Sequence, residues 1–442
     1  MSRSLKIYVA TLMLVAATAS VACAQAVPAS SMSPSVGPGL PSVDGVFHYS
    51  LSGSEQIQTG SRESGLGYST ALSGTASYNS RSVARPFGMI YAGGLLFGNL
   101  YGNNVTTYQN FAISQGLVTG PWSFGVVDSV SYLPESPTTG LSGIPGVGDL
   151  GSQPVQGPSG GPAGGILTNN ATNVSNALTG DVERRLSGRT SVSGSATWSF
   201  LRFPDNDGLD NTQIVGEAGL NHRLDARDTV SGNVSYSTLS YGSGIDLSIQ
   251  TRGINGVFQR VLSRTLSLSA SVGPLWISSS NSALVPSNLT VATDVSLTYN
   301  HRDLTGGVNY TRAVEGGSGV QAGVLADSVS ASIGRSYGRD WMTSVSANYT
   351  HASGLVQNGA VVGSNAGSNA NLLYSSGTTN TIYGGTQVSR RLSDSLSVFA
   401  SYNLQHQSID SSLASQNAFS GLTQTFGVGI TFSPRSTRLG QF

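Results

Sequence analysis

Five histidines, His48, His222, His301, His351 and His406, are the chain's natural candidates for proton transfer, because imidazole changes charge near neutral pH. A nucleophilic serine would need one of them beside it, held in turn by an acid or an amide. Serine is so abundant that finding one near a histidine means nothing, and the histidines fall on different segments. The chain has no H-E-x-x-H helix or phosphate-binding loop. Its single G-x-S-x-G and G-x-G-x-x-G strings, Gly157 to Gly161 and Gly146 to Gly151, lie in a Pro/Gly-rich stretch. They are not at the strand-to-helix turn that a nucleophile elbow or dinucleotide fingerprint needs. The histidines therefore read as ordinary rim residues, and the expectation is a protein that is not an enzyme and holds no cofactor.

A second candidate is Asp205-Asn206-Asp207-Gly208-Leu209-Asp210. A calcium loop of the EF-hand kind puts three acidic positions before its glycine and a glutamate later. Here only two acids precede Gly208 and the glutamate is missing. A solvated turn is the reading taken over a calcium or lipopolysaccharide bridge, and no metal site is expected.

The third constellation is a repeat. Arg185, Arg223, Arg260, Arg302, Arg335 and Arg390 each stand at a short turn, among Asp181, Asp225, Asp228, Asp303, Asp340 and Asp394. Ringed around a pore mouth, such arginines would favour anions. Alternatively they are rim charges that hold the protein at its depth and discourage edge pairing. Both readings stay open at this point.

The turns are spaced by alternating segments. Five candidate strands come first: Val46–Gln58, Leu66–Tyr78, Phe87–Leu100, Thr106–Gln115 and Pro121–Tyr132. Hairpins then pair Ala177–Leu186 with Thr190–Leu201, Thr212–Leu224 with Thr229–Tyr241, and Leu247–Leu262 with Thr265–Ser278. They continue as Leu289–His301 with Leu304–Ala313, Val320–Ser336 with Trp341–Thr350, and Thr379–Leu392 with Leu396–Gln407, before a last strand at Leu422–Phe432. Within them Val192, Gly194, Ala196, Trp198 and Phe200 alternate with Ser191, Ser193, Ser195, Thr197 and Ser199. Successive side chains leave opposite faces of a strand, so each strand has an apolar and a hydroxyl-lined side. A soluble sandwich would have shorter strands and more surface charge.

Composition agrees. Charged residues are 10% of the chain and mean hydropathy is −0.01, the average expected of strands with one lipid face and one wet face. No run after the leader is long and apolar enough for a membrane helix, and only a closed sheet otherwise satisfies a backbone in lipid. The fold class is therefore all-β: a transmembrane antiparallel up-and-down β-barrel of about 16–18 strands, an even number with both ends on one side. Zero net charge gives no case for nucleic acid.

Arg3 and Lys6 precede an apolar stretch and Ala24-Gln25-Ala26, so residues 1–26 read as a cleaved signal peptide. Cys23 raises a competing lipoprotein reading, but Ser20 stands where that signal carries a bulky aliphatic residue. Cleavage removes the only cysteine and the only lysine. Residues 27–45 read as a flexible leader, 46–433 as the barrel and 434–442 as a tail. Within the barrel, 134–173 form a Pro/Gly-rich loop that could fold inward or project outward.

The last strand reads Thr425-Phe426-Gly427-Val428-Gly429-Ile430-Thr431-Phe432. Thr425, Gly427, Ile430 and Phe432 match the pattern polar, any, glycine, two more, hydrophobic, any, aromatic. In this the chain resembles bacterial outer-membrane β-barrels of the porin type, whose terminal strand is read by the barrel assembly machinery. It departs from them in continuing past the aromatic, through Ser433 to Phe442. The resemblance implies residence in the bacterial outer membrane, among its lipids and lipopolysaccharide. It also implies a passive channel for small polar solutes, with a barrel for surface polysaccharide export or surface structure as the alternative. Solute and oligomeric state are left open.

Overall fold

The computed structural model describes residues 45–60, 66–98, 105–133, 172–204, 209–242, 247–317, 321–356, 377–410, 420–434 and 437–439. The expected signal peptide, nearly all of the leader and of the Pro/Gly-rich loop, and Asp205 to Gly208 lie outside them.

The first strands are β1 (Gly45–Thr59), β2 (Gly67–Ser80), β3 (Phe87–Gly98), β4 (Thr106–Thr119), β5 (Trp122–Leu133) and β6 (Asn173–Arg185). Next come β7 (Thr190–Arg202), β8 (Asn211–Arg223), β9 (Asp228–Tyr241), β10 (Leu247–Val261), β11 (Leu266–Ser279) and β12 (Asn288–His301). The wall is completed by β13 (Leu304–Glu315), β14 (Val324–Tyr337), β15 (Trp341–Gly354), β16 (Thr378–Arg391), β17 (Leu396–Ile409) and β18 (Gly421–Phe432). Each strand pairs antiparallel with the next, and β18 pairs back onto β1 with Leu51 opposite Phe432 and Thr59 opposite Gln424. The protein is a closed eighteen-stranded up-and-down barrel, so no sheet edge is left along its length.

A short β19 (Thr437–Leu439) pairs with Gly45–Phe47, the start of β1 that extends beyond Phe432. Phe432 therefore closes the barrel proper, opposite Leu51 and Leu396, and the chain beyond it covers the protruding end of β1. Two strand starts depart from expectation by four residues. β6 begins at Asn173, ahead of the expected Ala177, with Asn173 paired to Leu133. β14 begins at Val324, not Val320, because Gly323 takes a left-handed φ of 75° that breaks the extended run.

The short turns repeat for a physical reason. At Ser187, Asp225, Ser263 and Ser393 a side-chain oxygen follows a leucine at the strand end and accepts backbone N–H groups two or three residues on. Asp225 Oδ1 accepts from Arg227 and Asp228 at 2.6 and 2.7 Å, and Ser187 Oγ from Arg189 and Thr190 at 3.2 and 3.1 Å. Ser263 and Ser393 accept from Thr265 and Ser395. These bonds satisfy turn amides that the ladder cannot reach.

Following the paired residues once round the wall returns to β1 displaced by roughly 22 residues. With strands about 4.8 Å apart this sets a tilt of about 40° and a backbone radius of about 18 Å. Such a wall is too wide for its own side chains to fill.

Register carries each side chain's face from strand to strand. Val234, Ile254, Val329, Ile382 and Val428 all lie on the exterior, each more than 40% exposed. Trp122, Tyr337 and Trp341 mark the exterior near the short turns, and Trp198, Tyr236, Trp276 and Tyr349 mark it nearer the long connections. The two aromatic levels are about 20 Å apart on a tilted strand, the spacing of girdles bounding a lipid-facing band. The exterior is that of a membrane-spanning barrel. Val329→Arg, on the lipid face, is expected to cost about 2–4 kcal/mol of folding free energy in liposomes. Ser330→Arg, one residue on and facing the lumen, is expected to stay within about 0.5 kcal/mol. Urea unfolding of both variants checks this.

The backbone hydrogen bonds at Asp225 hold its carboxyl below the usual carboxylate range. A depressed folded-state pKa contributes stability that is present above the unfolded value and lost as pH falls through the folded one. Asp225→Asn should therefore narrow its stability gap from the parent as pH drops below about 4, read from unfolding midpoints at each pH.

Candidate functional site: the lumen and its outer shelf

The lumen wall is built from the alternate residues that the exterior does not use. Serine, threonine, asparagine and glutamine make up much of it and bond one another across strands, alongside apolar side chains such as Leu96, Leu201 and Val215. Thr179 and Thr197 are 3.0 Å apart, Ser237 and Thr251 2.7 Å, and Ser328 and Thr350 3.0 Å. Thr381 donates to Gln407 at 2.7 Å and the Tyr383 hydroxyl to Asn403 at 2.8 Å. Ser50 bonds Thr75, and Ser52 bonds Ser73. Short hydroxyls satisfied by neighbours give a smooth polar wall that can also bond water.

Four lumen-facing acids within the strands interrupt this neutral surface, Asp181 and Glu183 on β6, Glu217 on β8 and Asp294 on β12, and a fifth, Glu315, ends β13 opposite Val324. Asp181 and Glu217 both lie opposite Ser195, one on each side. Gly125 leaves room for Asp181, since a Cβ there would stand 2.3 Å from its carboxylate. Asn233 bonds Glu217, and Thr311 donates to Asp294 at 3.2 Å. No ion pair among the described residues involves any of the four.

The six turn arginines do not form one ring. Period two splits them. Arg185 and Arg223 end their strands on the lumen side, and Arg223 donates to the Gly188 carbonyl at 3.0 Å. Arg260, Arg335 and Arg390 face outward. Arg335 stacks over Tyr337 at 4.8 Å and Arg390 over Trp341 at 5.3 Å, while Arg260 lies 3.6 Å from Asp228. Arg184, neighbour of Arg185, likewise stacks over Trp122 at 5.1 Å. Arg302 sits in the turn between β12 and β13. Cations over interfacial rings suit the headgroup level of a membrane.

At the opposite end of the barrel one connection turns inward, which the sequence reading missed. Gly316 and Gly317, and Gln321 to Gly323, the described parts of the connection between β13 and β14, lie on the lumen side, where Tyr241 of β9 donates to the Gly316 carbonyl at 3.2 Å. Gly317 and Gly323 adopt φ of 71° and 75° at the two ends of this segment. Ala322 joins Leu239, Tyr241, Ile249, Leu275 and Ile277 of the wall, with Leu284 and Val285 of the β11–β12 connection, in one buried apolar cluster. Gln321 donates to the Gly377 carbonyl and Leu355 N–H to the Gly323 carbonyl, tying the shelf to the next connection. The shelf narrows the lumen from one side. The glycines Gly316, Gly317 and Gly323 were its only local signal.

The histidines stay apart. His48 meets Ser433 at 3.3 Å, His222 meets Thr190 at 2.9 Å, and His301 stacks on Tyr299. On the exterior, His351 Nδ1 lies 2.8 Å from Asn380 and its Nε2 3.2 Å from Ser353, a serine–histidine–asparagine chain. Ser353 lies inside the β14–β15–β16 ladder, opposite Leu325 and Thr378. The nearby amides are thus spent on pairing and leave no pair aimed at an oxyanion. The arrangement anchors polar groups at the exterior rim.

In β18, Thr425 and Gly427 face the lumen and Ile430 and Phe432 the exterior. A Cβ at Gly427 would stand 2.7 Å from Ser401 Oγ.

No protein-family model and no curated protein matches the chain. Among solved structures, similar chains include a BenF-like porin from Pseudomonas fluorescens Pf-5, at 10% identity and TM-score 0.43, covering 90% of this chain and 100% of that one. Pseudomonas aeruginosa OccK2 (OpdF) is 9% identical at TM-score 0.43, over 90% of this chain and 99% of that one. OpdQ of the same organism is 12% identical at TM-score 0.41, over 89% and 99%.

Gly323→Val tests the shelf. A side chain there would bring Cβ to 2.4 Å from Ile249 Cδ1 and is strained at that φ. The variant is expected to keep the barrel but make the β13–β14 connection more sensitive than the parent's to limited proteolysis in liposomes.

Proposed function

We propose that the protein is a passive channel of the bacterial outer membrane for small hydrophilic solutes. One observation supports this above the others: a closed eighteen-stranded wall divides its residues into an apolar exterior and a hydroxyl- and amide-lined interior. Lipid accepts the first surface and water the second. At a radius of about 18 Å the wall encloses far more space than its side chains fill, and the shelf occupies one flank of it. The serine, threonine and amide lining exchanges hydrogen bonds with a passing solute as water does, without binding it tightly, and diffusion needs such loose exchange.

The same reading places the arginine turns at the periplasmic rim and the long connections at the cell surface. Exterior arginines over tryptophan and tyrosine then hold the barrel at its depth among the outer-membrane lipids. Thr425, Gly427, Ile430 and Phe432 serve as the signal for the assembly machinery.

Purified protein in a planar bilayer is expected to give discrete, ohmic steps, and the Gly323→Val shelf variant larger ones. Absence of steps under conditions that reconstitute a known porin would overturn the channel reading and leave a surface-structural barrel.

A further inference from the structure

We infer that this channel favours cations over anions, an inference that rests on the channel reading above. The first support is where the charges stand. Along the strands every described arginine away from the short-turn rim faces the exterior, as Arg202, Arg252 and Arg312 do. The lumen-facing ones, Arg185, Arg223 and Arg391, are all last residues of their strands at that rim. The acids Glu183, Asp181, Glu217 and Asp294 instead stand at rising levels above it, with Glu315 at the far end of β13, and among the described residues no basic side chain faces the lumen beside Asp181, Glu217 or Asp294. A permeating ion therefore meets fixed negative charge through the middle of the wall, and positive charge only at one mouth.

A second, separate support is the sequence of the connections at the other end. They add Glu135, Asp149, Asp205, Asp207 and Asp246, against a single Arg62 balanced by Glu63. The chain's zero net charge thus conceals a division inside the pore. Acids of both the short turns and the exterior stand beside arginines, as Asp394 does beside Arg391 and Asp327 beside Arg312, while Asp181, Glu217 and Asp294 along the lumen wall have no such neighbours among the described residues.

The effect is a field along the pore, without a fixed ion site. Asp181 and Glu217 are two strands apart, about 10 Å, which is close to the screening length at about 0.1 M salt. Their fields overlap in dilute electrolyte and separate in concentrated electrolyte. Low-dielectric walls confine field lines to the lumen and raise the local concentration of counter-ions. Solutes carrying ammonium or guanidinium groups are the class such a lumen concentrates, and carboxylates and phosphates are the class it repels.

The test is the reversal potential of the reconstituted channel across a potassium chloride gradient. The wild-type protein is expected to pass potassium over chloride by about threefold or more near 0.1 M salt, falling toward unity near 1 M. The near-isosteric variant Asp181→Asn/Glu217→Gln/Asp294→Asn should bring the ratio to about one at low salt while leaving single-channel conductance at 1 M within about twofold. Arg391→Gln, at the rim, should leave the ratio at or above the wild-type value. A wild-type ratio at or below one, or a ratio unmoved by the triple variant, overturns the inference. If the triple variant fails to assemble, the salt series on wild-type protein decides alone: a ratio independent of salt contradicts the field. A protein that gives no current at all defeats the channel reading itself, which is a different result from a channel without cation preference.

Discussion

The whole structure depends on one seam, the antiparallel pairing of β18 with β1 from Leu51–Phe432 to Thr59–Gln424. In hydrocarbon an unpaired N–H or carbonyl costs several kcal/mol, so an open sheet of these eighteen strands could not remain in lipid. Closure turns a row of unsatisfied edge groups into another ladder. It also creates two environments from one wall. The seam reaches past Phe432 as well, because β19 takes up the part of β1 that β18 leaves unpaired. The residues after the terminal aromatic therefore have a structural use.

Once the wall is closed, period-two geometry decides what each residue can do. Arg390 and Arg391 are neighbours in sequence, yet one stacks over Trp341 on the exterior and the other faces the lumen rim and lies 3.5 Å from Asp394. Arg184 and Arg185 divide in the same way. A turn that looks uniformly basic in sequence therefore supplies two separate surfaces. The acids divide as well: Asp181, Glu217 and Asp294 are in phase with the serines that face water, whereas Asp228 and Asp327 are on the exterior beside Arg260 and Arg312. Charge balance over the whole chain hides this separation.

The strands were readable before any coordinates because alternation and the leucine–serine or leucine–aspartate turns are local properties. All eighteen candidate strands correspond to strands of the barrel, and the departures are at their ends. The orientation of the arginines was also legible, since adjacent residues in a strand must point apart, but the turn pattern drew attention away from it. The shelf was not legible. Its contacts join Tyr241 to Gly316 and Gln321 to Gly377, pairs far apart in sequence, and its apolar residues look like ordinary strand ends. Only the glycines Gly316, Gly317 and Gly323 marked it locally, the last two with positive φ, and the expected start of β14 at Val320 overran Gly323.

The division of each strand between lipid and water is the claim on which the rest stands, and cysteine accessibility along β9 measures it directly. In a Cys23→Ser background, single cysteines from Val230 to Thr238 would be exposed, in proteoliposomes, to a hydrophilic maleimide. The odd-numbered positions, with Ser231, Asn233, Ser235 and Ser237, are expected to label, while Val230, Val234 and Tyr236 stay protected. Labelling of both sets, or of the even-numbered set alone, would contradict a barrel with a wet interior and a lipid-facing exterior.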